Sequence, residues 1–209
     1  MKSSESLRCW PLLLTPIFRR KTLMHLRAHT VSLLLLVAAC SGSTDPVANL
    51  ATVTYKSAPF ALNGTPAESP TAINTPTALT VRADVGYDFD VAFDLDPSGA
   101  PVIYTQRSIG FPLGSTGHQV ALQILPTAFD AVKEAPAKNW IADSLLTVSV
   151  GQVIAVRSGT SSCQLQVSPF MYSKMIVDSV HVAQRQLFLT VVTDPNCGFR
   201  SLAEGRPTH

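Results

Sequence analysis

Few side chains in this sequence are suited to catalysis or metal binding, and they are widely spaced. The chain of 209 residues has four cysteines and five histidines. Beyond residue 39 the histidines are His118, His181 and the C-terminal His209. The sequence has no Gly-x-Ser-x-Gly elbow, no phosphate-binding glycine loop, no Gly-x-Gly-x-x-Gly and no His-Glu-x-x-His. We therefore predict a protein that is not an enzyme, with an unrecognised hydrolase as the least favoured alternative.

The first chemically informative cysteine is Cys40. It follows a short apolar run, Val31–Ala39, which basic residues precede and which ends in Ala38 and Ala39. A run of this length is too short to span a bilayer, which takes about 20 residues, and is typical of a signal peptide. The segment resembles a bacterial lipobox. That resemblance implies lipidation of Cys40 and cleavage immediately before it.

A lipoprotein leader also decides the charge and location of the mature chain. We predict a signal peptide over residues 1–39, with Met24 as an alternative start, and a flexible tether over 40–50. Residues 40–209 carry ten basic and thirteen acidic side chains, so nucleic acid is not an expected partner. The predicted location is the cell envelope, lipid-anchored, in the outer membrane if the cell is Gram-negative.

Two cysteines, Cys163 and Cys197, remain in the predicted exported domain. They stand in no Cys-x-x-Cys motif and have no histidine nearby. Disulfides form readily in exported proteins. A structural disulfide is therefore favoured over a redox or metal-binding pair.

A row of aspartates offers a weak metal-binding pattern. Asp94, Asp96 and Ser98 match the first half of a calcium-binding loop, and Gly99 occupies the turn position. Position twelve of that loop would be Thr105, where a glutamate is expected. The favoured alternative is a solvent-facing strand over residues 84–96, whose apolar residues alternate with the aspartates.

The elements that position these residues are predicted to be strands. Alternating segments rich in Val, Ile, Leu and Thr recur every 8–12 residues or so, a spacing typical of an antiparallel β-sandwich or barrel. We predict one all-β domain over residues 51–200, a Pro/Thr-rich stretch at 57–80 and a frayed tail at 201–209. The predicted strands are 51–56, 84–96, 101–107, 119–125, 144–150, 152–158, 164–168, 172–180 and 186–193, with one short helix at 127–134.

The order of several segments resembles the HmuY family of haem-binding outer-membrane lipoproteins. The matching pieces lie between residues 87 and 193: Asp88–Phe93, Val120–Gln123 with Phe129–Pro136, Val153–Ser158 and Tyr172–Ser179. The resemblance implies an all-β fold that clamps haem between axial side chains, commonly two histidines. Haem needs axial nitrogen or sulfur donors and an apolar pocket.

The candidate ligand-binding residues are His118, His181, Met171 and Tyr172, with Met175 as a further possible axial donor. Each has a simpler interpretation, as an exposed loop histidine or as a packing residue. We predict a lipid-anchored β-domain that binds haem or another small apolar ligand. The alternative is a structural or protein-interaction module of the envelope without a small-molecule ligand.

Overall fold

The computed structural model describes residues 47–86, 88–110, 119–163, 166 and 168–207. These residues form ten strands: β1 Val53–Ser57, β2 Ala72–Asn74, β3 Leu79–Val81, β4 Val91–Leu95, β5 Pro101–Thr105, β6 Gln119–Leu125, β7 Leu146–Thr147, β8 Val153–Gly159, β9 Phe170–His181 and β10 Gln186–Asp194. Four single 3₁₀ turns accompany them, at Arg107–Ile109, Phe129–Ala131, Ser161–Cys163 and Val182–Gln184.

The strands form two antiparallel sheets, so the predicted all-β sandwich is confirmed. The large sheet has the order β1-β10-β9-β8-β6, and the small sheet has the order β3-β2-β4-β5-β7. Alternation along each strand directs one set of apolar side chains between the sheets. The resulting core contains Phe93 and Ile103 from the small sheet and Leu122, Ile154 and Leu189 from the large sheet, all at most 1% exposed.

The outer face of each sheet is also covered, which gives two smaller apolar clusters. On the large sheet, Val132, Ala135 and Leu202 pack over Val153 and Tyr172. On the small sheet, Leu62 packs over Ala72, Ala83, Phe89 and Ala92. Loop segments that lie across the sheets therefore add packing that period-two alternation does not predict.

The predicted solvent-facing strand over residues 84–96 is wrong in length and in exposure. Only Val91–Leu95 is a strand, and all five of its residues are buried. Asp90 and Asp94 are 0% and 6% exposed. The two aspartates are buried for different reasons: Asp90 accepts a hydrogen bond from the Ser158 hydroxyl of the large sheet, and Asp94 pairs with Arg185. Leu62, from the segment before β2, packs against Ala92 on the outer face of β4.

The short helix predicted at 127–134 is reduced to the single 3₁₀ turn Phe129–Ala131. Its carbonyl groups serve another purpose, since the Lys174 ammonium donates to the carbonyls of Phe129 and Val132. The strand predicted at 144–150 is also short, with only Leu146 and Thr147 paired to β5. A strand was also predicted at 164–168. Gln166 and Ser168 do not belong to a strand, and residues 164, 165 and 167 lie outside the described residues.

Both ends of the described chain are packed on the domain rather than loose. The tether was predicted to extend to residue 50, yet Asn49 and Leu50 N–H groups donate to the Asn196 side chain at 2.9 and 3.0 Å. The tail was predicted to be frayed from residue 201, yet Leu202 is 1% exposed and its N–H donates to the Lys133 carbonyl. Burial of Leu202 in the outer cluster of the large sheet stabilises this ordered tail.

Candidate functional site

A pocket of about 410 Å³ lies on the outer side of the small sheet. Its volume falls within the range of small-molecule sites, roughly 300–1,000 Å³. The surface that lines it is mostly apolar. The described lining residues are Leu62, Thr65, Pro66, Ala67, Ser69, Thr71, Ala83, Asp84 and Ile109.

A loop docked beside the small sheet supplies most of this pocket. Its residue Leu62, together with Ala83, lines the pocket and also belongs to the apolar cluster that covers the paired Ala72 and Ala92. The chain from Leu62 to Thr71 is tied to Phe93 by backbone hydrogen bonds to its N–H and to its carbonyl. This loop supplies six of the nine described lining residues, and Ala83, Asp84 and Ile109 supply the others.

The polar groups of the pocket are a carboxylate and three hydroxyls. Asp84 accepts two hydrogen bonds from Arg82, at 3.0 and 2.6 Å. The Arg82 guanidinium holds the pKa of the Asp84 carboxyl below its usual range, so this group is ionised at neutral pH. Thr65 Oγ1 donates to the Ala61 carbonyl at 2.6 Å, which leaves its oxygen able to accept from a ligand.

Met171, Tyr172 and His181, the predicted ligand-binding residues that the structure describes, are not among the described lining residues of this pocket. Met171 and Tyr172 are at the start of β9, and their consecutive positions place them on opposite faces of the large sheet. His181 is exposed at the other end of the same strand. Nine residues of strand separate Tyr172 from His181, or about 30 Å at roughly 3.3 Å per residue.

The separation along β9 excludes one arrangement for haem. His181 is too far from Met171 and from Tyr172 to serve with either as the two axial ligands of one haem. Met175 is fully buried in the core between the sheets. His118 and Cys40, the other predicted functional residues, lie outside the described residues.

The calcium candidates Asp94, Asp96 and Ser98 make protein contacts instead of sharing one site. Asp94 forms an ion pair with Arg185 at 2.9 Å. Asp96 accepts hydrogen bonds from the N–H groups of Ser98 and Ala100 and from the Ser98 hydroxyl, which is the pattern of an Asx turn. No group of three or more potential metal ligands occurs among the described residues.

The predicted disulfide between Cys163 and Cys197 is confirmed. It joins Cα atoms 5.5 Å apart and links the turn after β8 to the segment after β10. Cys163 is fully buried. This environment matches the structural role that was predicted.

Sequence reasoning missed the residues that line the pocket. The Pro/Thr-rich stretch at 57–80 indicated turns and extended chain, and it contributes Leu62, Thr65, Ser69 and Thr71 to the lining. A loop that folds back over its own sheet has no period of its own in the sequence. The backbone hydrogen bonds that join Leu62 and Thr71 to Phe93 are long-range contacts, and they place this loop beside the sheet.

Comparison of the chain with protein-family models, curated proteins and solved structures found no match. Within the described residues, no helix has the length and apolar character needed to cross a membrane.

Proposed function

We propose that this chain is a lipid-anchored binding protein of the bacterial cell envelope, and that the pocket on the small sheet holds a small apolar ligand. The observation that carries the binding role is the pocket itself, which is mostly apolar and has a few polar groups at its edge. Sites for small molecules commonly combine these two features. The anchoring role is supported by the lipobox-like sequence that ends at Cys40.

The polar groups that line the pocket favour an uncharged ligand. Thr65, Ser69 and Thr71 supply hydroxyl groups, and the Asp84 carboxylate is already neutralised by Arg82. A ligand with an apolar body and one hydroxyl or amide group satisfies these partners without bringing a charge of its own. The experiment below therefore uses an uncharged apolar probe.

Haem remains the narrower form of the proposal, because of the resemblance of residues 87–193 to the HmuY family. Among the described lining residues there is no histidine, methionine, cysteine or tyrosine. Haem in this pocket would need an axial donor from elsewhere in the chain. Haem capture predicts a saturable shift of the Soret band on titration with haemin, weakened by His118→Ala or His181→Ala.

The pocket can be tested with the neutral dye Nile red and the full chain carrying Cys40→Ser. Ile109 lines the pocket and is 38% exposed, while Ile141 is 40% exposed and lies outside the lining. Ile109→Ser removes apolar contact worth about 1–2 kcal/mol, so we expect dye affinity to fall about tenfold. Ile141→Ser is the matched control and should leave the affinity unchanged.

Two outcomes would contradict the proposed pocket. One is the absence of saturable dye binding to the chain that carries only Cys40→Ser. The other is an equal loss of affinity in Ile109→Ser and Ile141→Ser, which would indicate non-specific adsorption to exposed apolar residues.

A further inference from the structure

An arginine is held between aromatic rings on the outer face of the large sheet, away from the pocket of the small sheet. The Arg157 guanidinium carbon lies 4.5 Å from the centre of the Phe170 ring and 5.3 Å from the centre of the Trp140 ring. The Phe170 ring fits over Gly159, where an added Cβ would approach the ring to 3.2 Å. The rings therefore fix the guanidinium by cation–π contact rather than by hydrogen bonds.

Among the described arginines beyond residue 46, Arg157 and the exposed Arg206 form no ion pair, and of these two only Arg157 is half-buried. Arg82, Arg107, Arg185 and Arg200 each form an ion pair with a carboxylate. Within the described part of the chain, Arg157 has no ion pair, and its buried Nε atom has no hydrogen-bond partner. Nε is enclosed, so an anion can reach this half-buried guanidinium only through its terminal N–H groups.

Two further polar groups lie on the same face of the sheet. The Oε1 atom of Gln123 is buried and also lacks a hydrogen-bond partner. Gln123 pairs with Ala155, two positions from Arg157 on β8, so both side chains point to the same side. Tyr172 pairs directly with Arg157, and its ring centre is 6.1 Å from that of Trp140.

The charge and shape of this surface indicate the class of ligand. A single guanidinium matches the geometry of one carboxylate, which it can bind through two parallel hydrogen bonds. The nearby cation, Lys174, is already held by the Phe129 and Val132 carbonyls and is 4% exposed. A phosphate would require more donors than Arg157 alone supplies, whereas the aromatic rings favour an apolar or planar body.

We propose that Arg157, Trp140, Phe170 and Tyr172 form a binding site for a small organic carboxylate. The carboxylate accepts hydrogen bonds from the Arg157 guanidinium, and the apolar body of the ligand lies against the aromatic rings. This site is separate from the small-sheet pocket, so either proposal can fail while the other stands.

Trp140 provides a direct optical test, because the only other tryptophan in the chain is Trp10. The full chain carrying Trp10→Phe and Cys40→Ser is titrated with benzoate, benzyl alcohol and inorganic phosphate, and Trp140 fluorescence is recorded. We expect a saturable change with benzoate and at least tenfold weaker binding of benzyl alcohol and phosphate. Equal binding of benzoate and benzyl alcohol would overturn the role of the carboxylate, and tighter binding of phosphate would overturn the proposed ligand class.

A pair of arginine variants tests the assignment to Arg157. Arg157→Met keeps much of the apolar stem and removes the charge, so benzoate affinity should fall at least tenfold. Arg200→Met removes an arginine that is paired with Glu134 and should leave the affinity unchanged. If Arg157→Met retains full affinity, the site is wrong; if it does not fold, the benzoate–benzyl alcohol comparison on the parent chain decides the proposal.

Discussion

Two buried carboxylates of the sandwich are hydrogen-bonded to very different extents. Asp90 accepts from the Thr75 N–H and hydroxyl at 2.7 and 2.6 Å and from the Ser158 hydroxyl, so both of its oxygens are used. Asp194 accepts through Oδ1 from Asn196, but its buried Oδ2 atom has no partner. Asp90 therefore links the two sheets, whereas Asp194 carries an uncompensated cost of burial.

Burial of the Asp194 carboxyl should make the stability of the protein depend on pH. Burial raises the pKa of the Asp194 carboxyl, an effect that the hydrogen bonds from Asn196 only partly oppose. The folded protein thus binds this proton more tightly than the unfolded chain. The resulting stabilisation is present below the unfolded pKa of about 3.9 and is lost as the pH rises through the folded pKa.

Asp194→Asn removes this titration and keeps an Oδ1 acceptor for Asn196. We expect the free energy of unfolding of the variant, relative to the unmodified protein, to increase from pH 4 to pH 7. Urea unfolding across that range measures the difference. A relative stability that decreases as the pH rises would show that the ionised Asp194 is stabilised in the fold.

The sequence predicted which apolar residues of the 84–96 segment share a face, but not which of its carboxylates are buried. The apolar residues Val91, Phe93 and Leu95 were correctly predicted to share one buried face. The opposite face was predicted to be exposed to solvent, since alternation within one strand does not reveal what packs against it. Asp90 instead bonds to Ser158 of the other sheet, and Asp94 pairs with Arg185. Both partners are distant in the sequence, so no local pattern connects them to β4.

At the scale of elements, the disulfide holds the end of the large sheet that carries Phe170. Cys163 lies in the 3₁₀ turn after β8, and Cys197 lies just beyond β10. Next to Cys197, the Gly198 N–H donates to the Phe170 carbonyl at 2.8 Å. The bridge therefore ties the turn after β8 to the segment after β10, and the Gly198 hydrogen bond joins that segment to the start of β9.

We expect the double variant Cys163→Ala/Cys197→Ala to lose about 3–4 kcal/mol of stability, because the bridge closes a loop between residues 34 positions apart. Denaturant unfolding of the variant and of the oxidised parent gives the difference. Reduction of the parent with dithiothreitol should reproduce the loss. An unchanged midpoint in both experiments would show that the bridge contributes nothing to stability.

Long strands were easier to predict than short ones. The bounds of β6 match the prediction at 119–125, and those of β9 and β10 differ from it by at most two residues at either end. Strands β2 and β3 have three residues each and were not predicted, because three residues are too few to establish alternation. The small sheet, and with it the pocket, therefore could not be built from the sequence.

The proposed lipid anchor at Cys40 is followed within a few residues by the first hydrogen bonds to the domain. The Asn196 side chain accepts from the Asn49 and Leu50 N–H groups. Eight residues, 41–48, separate Cys40 from Asn49, and eight residues span at most about 29 Å. Lipidation of Cys40 would therefore hold the sandwich close to the membrane surface.

The anchor itself is testable in a bacterial host with radiolabelled palmitate. We expect the unmodified chain to incorporate label and to fractionate with membranes, since two or three acyl chains give stable attachment. Cys40→Ala should abolish both properties, whereas Cys9→Ala should change neither. Retention of label in Cys40→Ala would contradict the predicted lipidation site.

NMR mapping of ligand contacts would show whether the small-sheet pocket binds an apolar ligand. Amide spectra of the isotope-labelled chain carrying Cys40→Ser are recorded during a titration with an uncharged aromatic alcohol. We predict saturable shifts centred on Leu62, Thr71, Ala83 and Ile109. Shifts that are confined to other surfaces, or that do not saturate, would contradict the proposed binding function.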